Sequence, residues 1–210
     1  MALASFCLGY EDSNFKKNIK GTNLKILILG IGNILFGDEG IGPHLANLIE
    51  EKYSFNSTEH TIDIVDGGTL AQRLIPIITD YDRVMLIDCV NVDDSNIGDV
   101  YSFDFDKVPD YITWNGSAHE VEMLQTLQMI EMAGDLPPVK IVGVVPFVIG
   151  EDSTFTMTDE VIKASETMEK VIIDYIKSFD IEVVLKNPTL KIVDVTSNTY
   201  IKGVTYDIGV

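Results

Sequence analysis

Basic residues are scarce in this chain of 210 residues: 15 Lys and Arg stand against 33 Asp and Glu, a formal net charge of −18. A surface of that sign repels a phosphate backbone, which argues against nucleic acid as a partner. It tolerates metal cations or a basic protein segment. The acidic excess is spread out, with local clusters at Asp93-Asp94 and between Asp104 and Asp110, as in a solvated surface. Cysteine is nearly absent. Cys7 and Cys89 are too few for a disulfide framework and lack the spacing of a metal finger, which suits a reducing compartment. The longest apolar runs, such as Ile141 to Ile149, fall far short of the ~20 residues a membrane helix requires. Ala2 to Leu8 are mildly apolar, but no basic residue precedes them and Glu11 follows, unlike a signal peptide. The expectation is a cytoplasmic protein with no membrane partner.

Several catalytic motifs are missing as well. There is no G-x-S-x-G and no H-E-x-x-H; His119-Glu120-Val121-Glu122-Met123 only begins like the latter. Gly30-x-Gly32 follows an apolar run and invites a dinucleotide reading, yet the third glycine fails because position 35 is Leu. Asp38 and Glu39 also lie where a helix N-terminus would receive a pyrophosphate, and carboxylates there take the positive end the phosphate needs.

What is present is a repeated strand, loop and helix. Ile26 to Leu29 form an unbroken aliphatic run, as in a parallel strand buried on both faces. Gly30, Gly32, Asn33, Gly37, Asp38, Glu39 and Gly40 make the loop. Ile41, Leu45, Leu48 and Ile49 then recur at helical spacing with Pro43 in the first turn. Thr61 to Val65 repeats the strand and runs into Asp66-Gly67-Gly68-Thr69, with a helical segment through Leu70, Leu74 and Ile78. Val84 to Ile87 is a third strand ending at Asp88-Cys89. Val100 to Phe105 alternates as a half-buried strand near a sheet edge would. Val121 to Met132 is amphipathic and places His119 in or just before a helix's first turn; Val139 to Val145 is another buried strand, and a long helix spans about Thr158 to Phe179.

The length fits one domain with a full-sized core. Residues 1–24 lack a steady period and read as an N-terminal extension, residues 25–180 as the domain proper, and residues 181–210 as a β-prone tail. Within that tail Glu182 to Leu185, Leu190 to Val195 and Ile201 to Ile208 suggest a short strand followed by a hairpin.

In open parallel sheets the loops at the carboxyl ends of strands line the ligand crevice. Glu39, Asp88 and His119 all fall at such ends or at helix starts, and two carboxylates with one imidazole make a three-ligand set for a borderline divalent metal. Each also has an ordinary role. Asp38 or Glu39 can complement a helix dipole, Asp88 can cap a loop, and His119 can be a core histidine bonded to a carbonyl. Cys89 could serve as a nucleophile with His119 as base, but alternation along its strand turns it away from Asp88, as a buried structural thiol.

Taken together, G30-I-G-N-I-L-F-G-D-E-G-I-G42, D66-G-G-T69, L86-I-D-C89, S117-A-H119 and V142-G-V-V-P146 resemble the nickel-iron hydrogenase maturation proteases over about residues 25–180. The resemblance implies a three-layer αβα sandwich with a mostly parallel twisted central sheet. It implies an endopeptidase that removes the C-terminal peptide of a hydrogenase large-subunit precursor once nickel is loaded, the nickel arriving with that precursor. Carried over by position, the metal-contacting residues are Glu39, Asp88 and His119, and Asp66, Gly67, Gly68 and Thr69 belong to substrate recognition. The family is grouped with aspartic peptidases, so Glu39 or Asp88 acting as base on water stands beside a metal-assisted route. The rival expectation is a nickel-dependent chaperone that binds the large subunit without cutting it.

Overall fold

The computed structural model describes residues 23–69, 71–109, 112–113, 118–147 and 156–197, with the side chains of 112–113 and 118–120 outside the description. The N-terminal extension before residue 23, and the Ile201 to Ile208 segment of the tail, lie outside the described residues.

The chain runs β1 (Lys25–Ile31), a 3-10 turn (Gly37–Gly40), α1 (Ile41–Lys52), β2 (Tyr53–Asn56) and β3 (Thr61–Gly68). A second 3-10 turn (Ala71–Leu74) leads into α2 (Ile75–Ile78), followed by β4 (Arg83–Cys89), β5 (Asn91–Val92), β6 (Val100–Asp104) and β7 (Ile112–Thr113). Then come α3 (Ala118–Ala133), β8 (Val139–Val144), α4 (Asp159–Lys177) and β9 (Glu182–Leu185). The main sheet has five strands in the order β3-β1-β4-β8-β6. β3, β1, β4 and β8 are parallel, and β6 closes the edge antiparallel to β8.

Alternation in β1 explains the layering. Ile26 and Ile28 point to one face, where α1 and α4 cover them through Ile41, Leu45, Met168 and Ile172. Leu27 and Leu29 point to the other, under Leu74, Ile78, Met123 and Leu127 from the 71–78 segment and α3. Both faces of the strand are therefore core, as its unbroken aliphatic run requires. α4 forms because Val161, Ala164, Met168, Ile172 and Ile176 recur at helical spacing and are buried. The Thr158 side chain caps its start by accepting the Val161 N–H, and Asp180, at φ 58°, follows its last turn in the left-handed conformation. Burying each of the larger side chains on that stripe contributes about 1.5–3 kcal/mol.

Two expectations are corrected. Leu190 to Val195 is not a strand of a hairpin: residues 192–197 are helical. Ile192 and Val195 bury one face against the α1 and α4 core, and Asp194 accepts the Lys191 N–H at 2.9 Å, the reciprocal half of a capping box. Of the segment expected to be helical through Leu70, Leu74 and Ile78, Leu70 lies outside the described residues, and residues 71–78 are a 3-10 turn and a single α turn with Pro76 inside it, not one continuous helix. The tail strand Glu182–Leu185 does form, pairing antiparallel with Tyr53–Asn56 as a separate small sheet. Among the described residues no helix is long and apolar enough to cross a membrane.

Candidate active site

From β1 the chain moves outward to β3, then returns to β4 on the opposite side of β1. The strand order thus reverses between β1 and β4, and loops diverging from that point open a crevice at the carboxyl ends. Into it run the 32–40 loop after β1, Asp88 near the end of β4, and Pro146-Phe147 after β8.

Close backbone packing sets the first of these loops. A Cβ on Gly42 would lie 2.1 Å from the Ile31 carbonyl oxygen and 2.4 Å from that of Ile87, so only glycine lets α1 descend onto β1 and β4 here. A Cβ on Gly32 would lie 1.9 Å from the Glu39 carbonyl oxygen, and that oxygen accepts the Asn33 N–H at 3.1 Å. Gly32 in turn donates to the Gly68 carbonyl at 3.0 Å, which joins the loop to the Asp66-Gly67-Gly68-Thr69 segment. There the Asp66 carboxylate accepts the Gly68 N–H at 3.1 Å and the Asn47 amide at 3.3 Å, so its orientation is set from both sides.

The two adjacent carboxylates of the loop part company. Asp38 is wholly buried, and its oxygens accept the Phe147 N–H at 3.0 Å, the Thr158 N–H at 2.7 Å and the Thr158 hydroxyl at 2.9 Å. It therefore complements the start of α4, not that of α1. Glu39 is partly exposed, and burial holds its carboxyl above the usual 4.5. Asp88 is 5 % exposed and accepts the Cys89 N–H at 2.7 Å. Strand β4 continues through Cys89, whose thiol is 2 % exposed, faces the α1 and α4 core and donates to the Asp38 carbonyl oxygen at 3.3 Å. This is the buried structural thiol that alternation demands.

The Asp38–Cys89 contact ties the backbone beside Glu39 to the end of β4, one residue along from Asp88. His119 is the second residue of α3, and its side chain lies outside the described residues. Among the described residues no three His, Cys, Asp or Glu side chains gather as a metal-ligand group. Close by, His44 of α1 is fully buried behind Gly40, where a Cβ would come within 3.1 Å of its Nε2, and burial lowers its pKa to about 4. Sequence reasoning missed the division of labour between Asp38 and Glu39. Thr158 before Asp159 is a legible helix cap, but nothing in the chain signals that it meets a residue 120 positions away.

The fold and crevice define a three-layer, doubly wound α/β protein with an acidic strand-end site. The family model described as hydrogenase maturation protease matches residues 43–175. Protein HydD of Wolinella succinogenes is 56% identical over 140 residues, covering 67% of this chain and 87% of that protein. The hydrogenase 2 maturation protease of Escherichia coli is 28% identical over 124 residues, 59% of this chain and 74% of that one. Among solved structures, the hydrogenase maturating endopeptidase HybD from E. coli superposes with a TM-score of 0.68 at 24% identity, covering 78% of this chain and 98% of its own. HybD from Thermococcus kodakarensis superposes at 0.57 and 22% identity, covering 73% and 100%. This chain belongs to the hydrogenase maturation protease family, and it is a peptidase of that family.

Proposed function

We propose that this protein cuts the C-terminal peptide from the precursor of a nickel-iron hydrogenase large subunit, and that nickel already bound to the precursor is part of what it recognises. The observation that supports this reading is the Asp38–Cys89 bond, which ties the loop carrying Glu39 to the strand end carrying Asp88 in a protein of this family. The donor set fits a substrate-borne nickel ion: hard carboxylate oxygens and an imidazole would complement the precursor's thiolates without competing with them. Glu39, Asp88 and His119 would hold it, and a cation there would polarise a carbonyl next to it. Glu39 takes the proton from the attacking water, a role suited to a carboxyl whose pKa burial has raised. The oriented Asp66-Gly67-Gly68-Thr69 segment, tied through Gly68 to the same loop, grips the substrate chain beside the cut. The cysteine-poor composition suits action in the cytoplasm.

Incubating the purified protein with nickel-loaded precursor and weighing the products tests this. A shortened large subunit plus a released C-terminal peptide supports it. Binding without any change in mass would instead make the protein a chaperone.

A further inference from the structure

Asp38 has no place in the chemistry above, yet it is the most fully enclosed carboxylate near the site. Its side chain is 0 % exposed, and every donor that reaches it among the described residues is neutral: Phe147 N–H, Thr158 N–H and Thr158 Oγ1–H. Burying a charge against neutral donors is a poor way to gain stability, since an apolar residue of similar volume often does as well. What the carboxylate supplies is two acceptor-only oxygens on one rigid group. These gather points of the chain that are 109 and 120 residues away, Phe147 in the segment after β8 and Thr158 at the N-cap of α4. An amide could accept at one oxygen only and would turn its NH2 on a backbone N–H.

The backbone on either side of that carboxylate is held as well. The Asp38 carbonyl receives the Cys89 thiol at 3.3 Å, and the next carbonyl, that of Glu39, receives the Asn33 N–H at 3.1 Å and presses on Gly32. The backbone over residues 38–40 is thus fixed to β4, to the turn after β1 and, through the Asp38 carboxylate, to Phe147 after β8 and to the start of α4. Glu39 lies at the centre of these ties.

We propose that Asp38 is a positioning residue for peptide cleavage, whose carboxylate bonds to Phe147 and Thr158 hold Glu39 in register with Asp88. This rests on the protease reading given above. A loose anchor displaces the Glu39 side chain without removing it, and a misplacement of about 1 Å costs roughly a hundredfold in rate.

The test compares Asp38→Asn, Thr158→Val and Thr158→Ser in cleavage of nickel-loaded precursor, with rates expressed per folded molecule. The Asn variant should lose about a hundredfold in kcat while KM stays within about twofold, the signature of a lost transition-state interaction. Thr158→Val, which removes the hydroxyl that donates to Asp38 and caps the Val161 N–H, should lose about tenfold, and Thr158→Ser, which restores both bonds, should return close to the parent rate. Hydrogen exchange at the Asn33 amide, bonded to the Glu39 carbonyl, should accelerate in Asp38→Asn while the β1 amides keep their protection. A folded Asp38→Asn variant with parental kcat overturns the proposal, as do equal losses in the Val and Ser variants. If Asp38→Asn does not fold, the Thr158 pair decides. If the parent protein leaves the precursor uncut, the protease reading falls by itself, and unchanged Asn33 exchange in Asp38→Asn then overturns the positioning role.

Discussion

The Cys89 thiol donates to the Asp38 carbonyl oxygen at 3.3 Å, joining strand β4 to the loop that carries Glu39. Because neighbouring residues in a strand face opposite sides, that bond directs the thiol into the core and leaves the adjacent Asp88 on the other side of β4. A cysteine engaged in this way is packing material. Cys89→Ala should keep most of the cleavage activity and lose about 1–2 kcal/mol of stability, read by urea titration, from the small cavity and the freed carbonyl. Native protein should also resist thiol alkylation at Cys89, which is 2 % exposed. Complete loss of cleavage in a folded Cys89→Ala variant would bring back the nucleophile.

The site itself makes a separate prediction. His119→Ala and Glu39→Gln should each fold, judged by circular dichroism, and abolish processing while Lys25→Ala, far from the crevice, processes normally. Burial raises the Glu39 carboxyl above 4.5, so more of it is protonated at a given acid pH than for an exposed glutamate. The acid limb of the kcat/KM profile should therefore lie above 4.5.

Buried His44 gives the fold an acid sensitivity of its own. Its folded pKa is lowered from 6.5 to about 4 by burial, so between those values the unfolded chain binds a proton that the native state refuses. Its contribution is full above 6.5 and is lost as the pH falls towards 4. The total is roughly 3 kcal/mol at the acid end. Denaturant titrations at pH 7 and pH 4.5 should show a steeper decline for the parent than for His44→Gln. Parallel declines would mean that the imidazole is hydrated in the native state.

How much of this was legible in the sequence depended on how local each cause is. Ile26 to Leu29 announce a strand covered on both faces, and both faces are covered. β4 and β8 likewise end close to Asp88 and Pro146, where short apolar runs meet turn residues, whereas β3 runs on past Val65 through Asp66 to Gly68. Tyr53–Asn56 carries no such pattern, since its partner Glu182–Leu185 lies far along the chain. Asp38 and Glu39 look interchangeable until Phe147 and Thr158 claim one of them, because those bonds close loops of 109 and 120 residues. The tail was misread because Ile192, Val193, Val195 and Thr196 favour strands by propensity, whereas burial of Ile192 and Val195 on one face decided for helix.

Gly42 stands where a side chain has nowhere to go. A Cβ there would meet the carbonyl oxygens of Ile31 and Ile87 at 2.1 and 2.4 Å, and both belong to the backbone of central strands or their ends. Gly42→Ala must push α1 off the sheet, at the upper end of overpacking costs, about 3 kcal/mol. Thermal denaturation should show a large fall in midpoint, and processing should fall with the displaced 37–40 turn. A stable, active Gly42→Ala protein would mean that α1 sits farther from β1.

The corrected tail can be checked by spacing alone. In a strand, residues two apart share a face, so Val193 would be buried with Val195; in the helix over residues 192–197, Ile192 shares a face with Val195 while Val193 is 42% exposed. Ile192→Ala should therefore cost about 2–5 kcal/mol, the range for emptying a core isoleucine site. Val193→Ala should stay within about 0.5 kcal/mol of the parent. Urea midpoints of the two variants decide the matter, since a hairpin would reverse the order and make Val193 the costly position. The same measurement shows whether the segment belongs to the α1 and α4 core, because a detached tail would leave both midpoints where the parent has them.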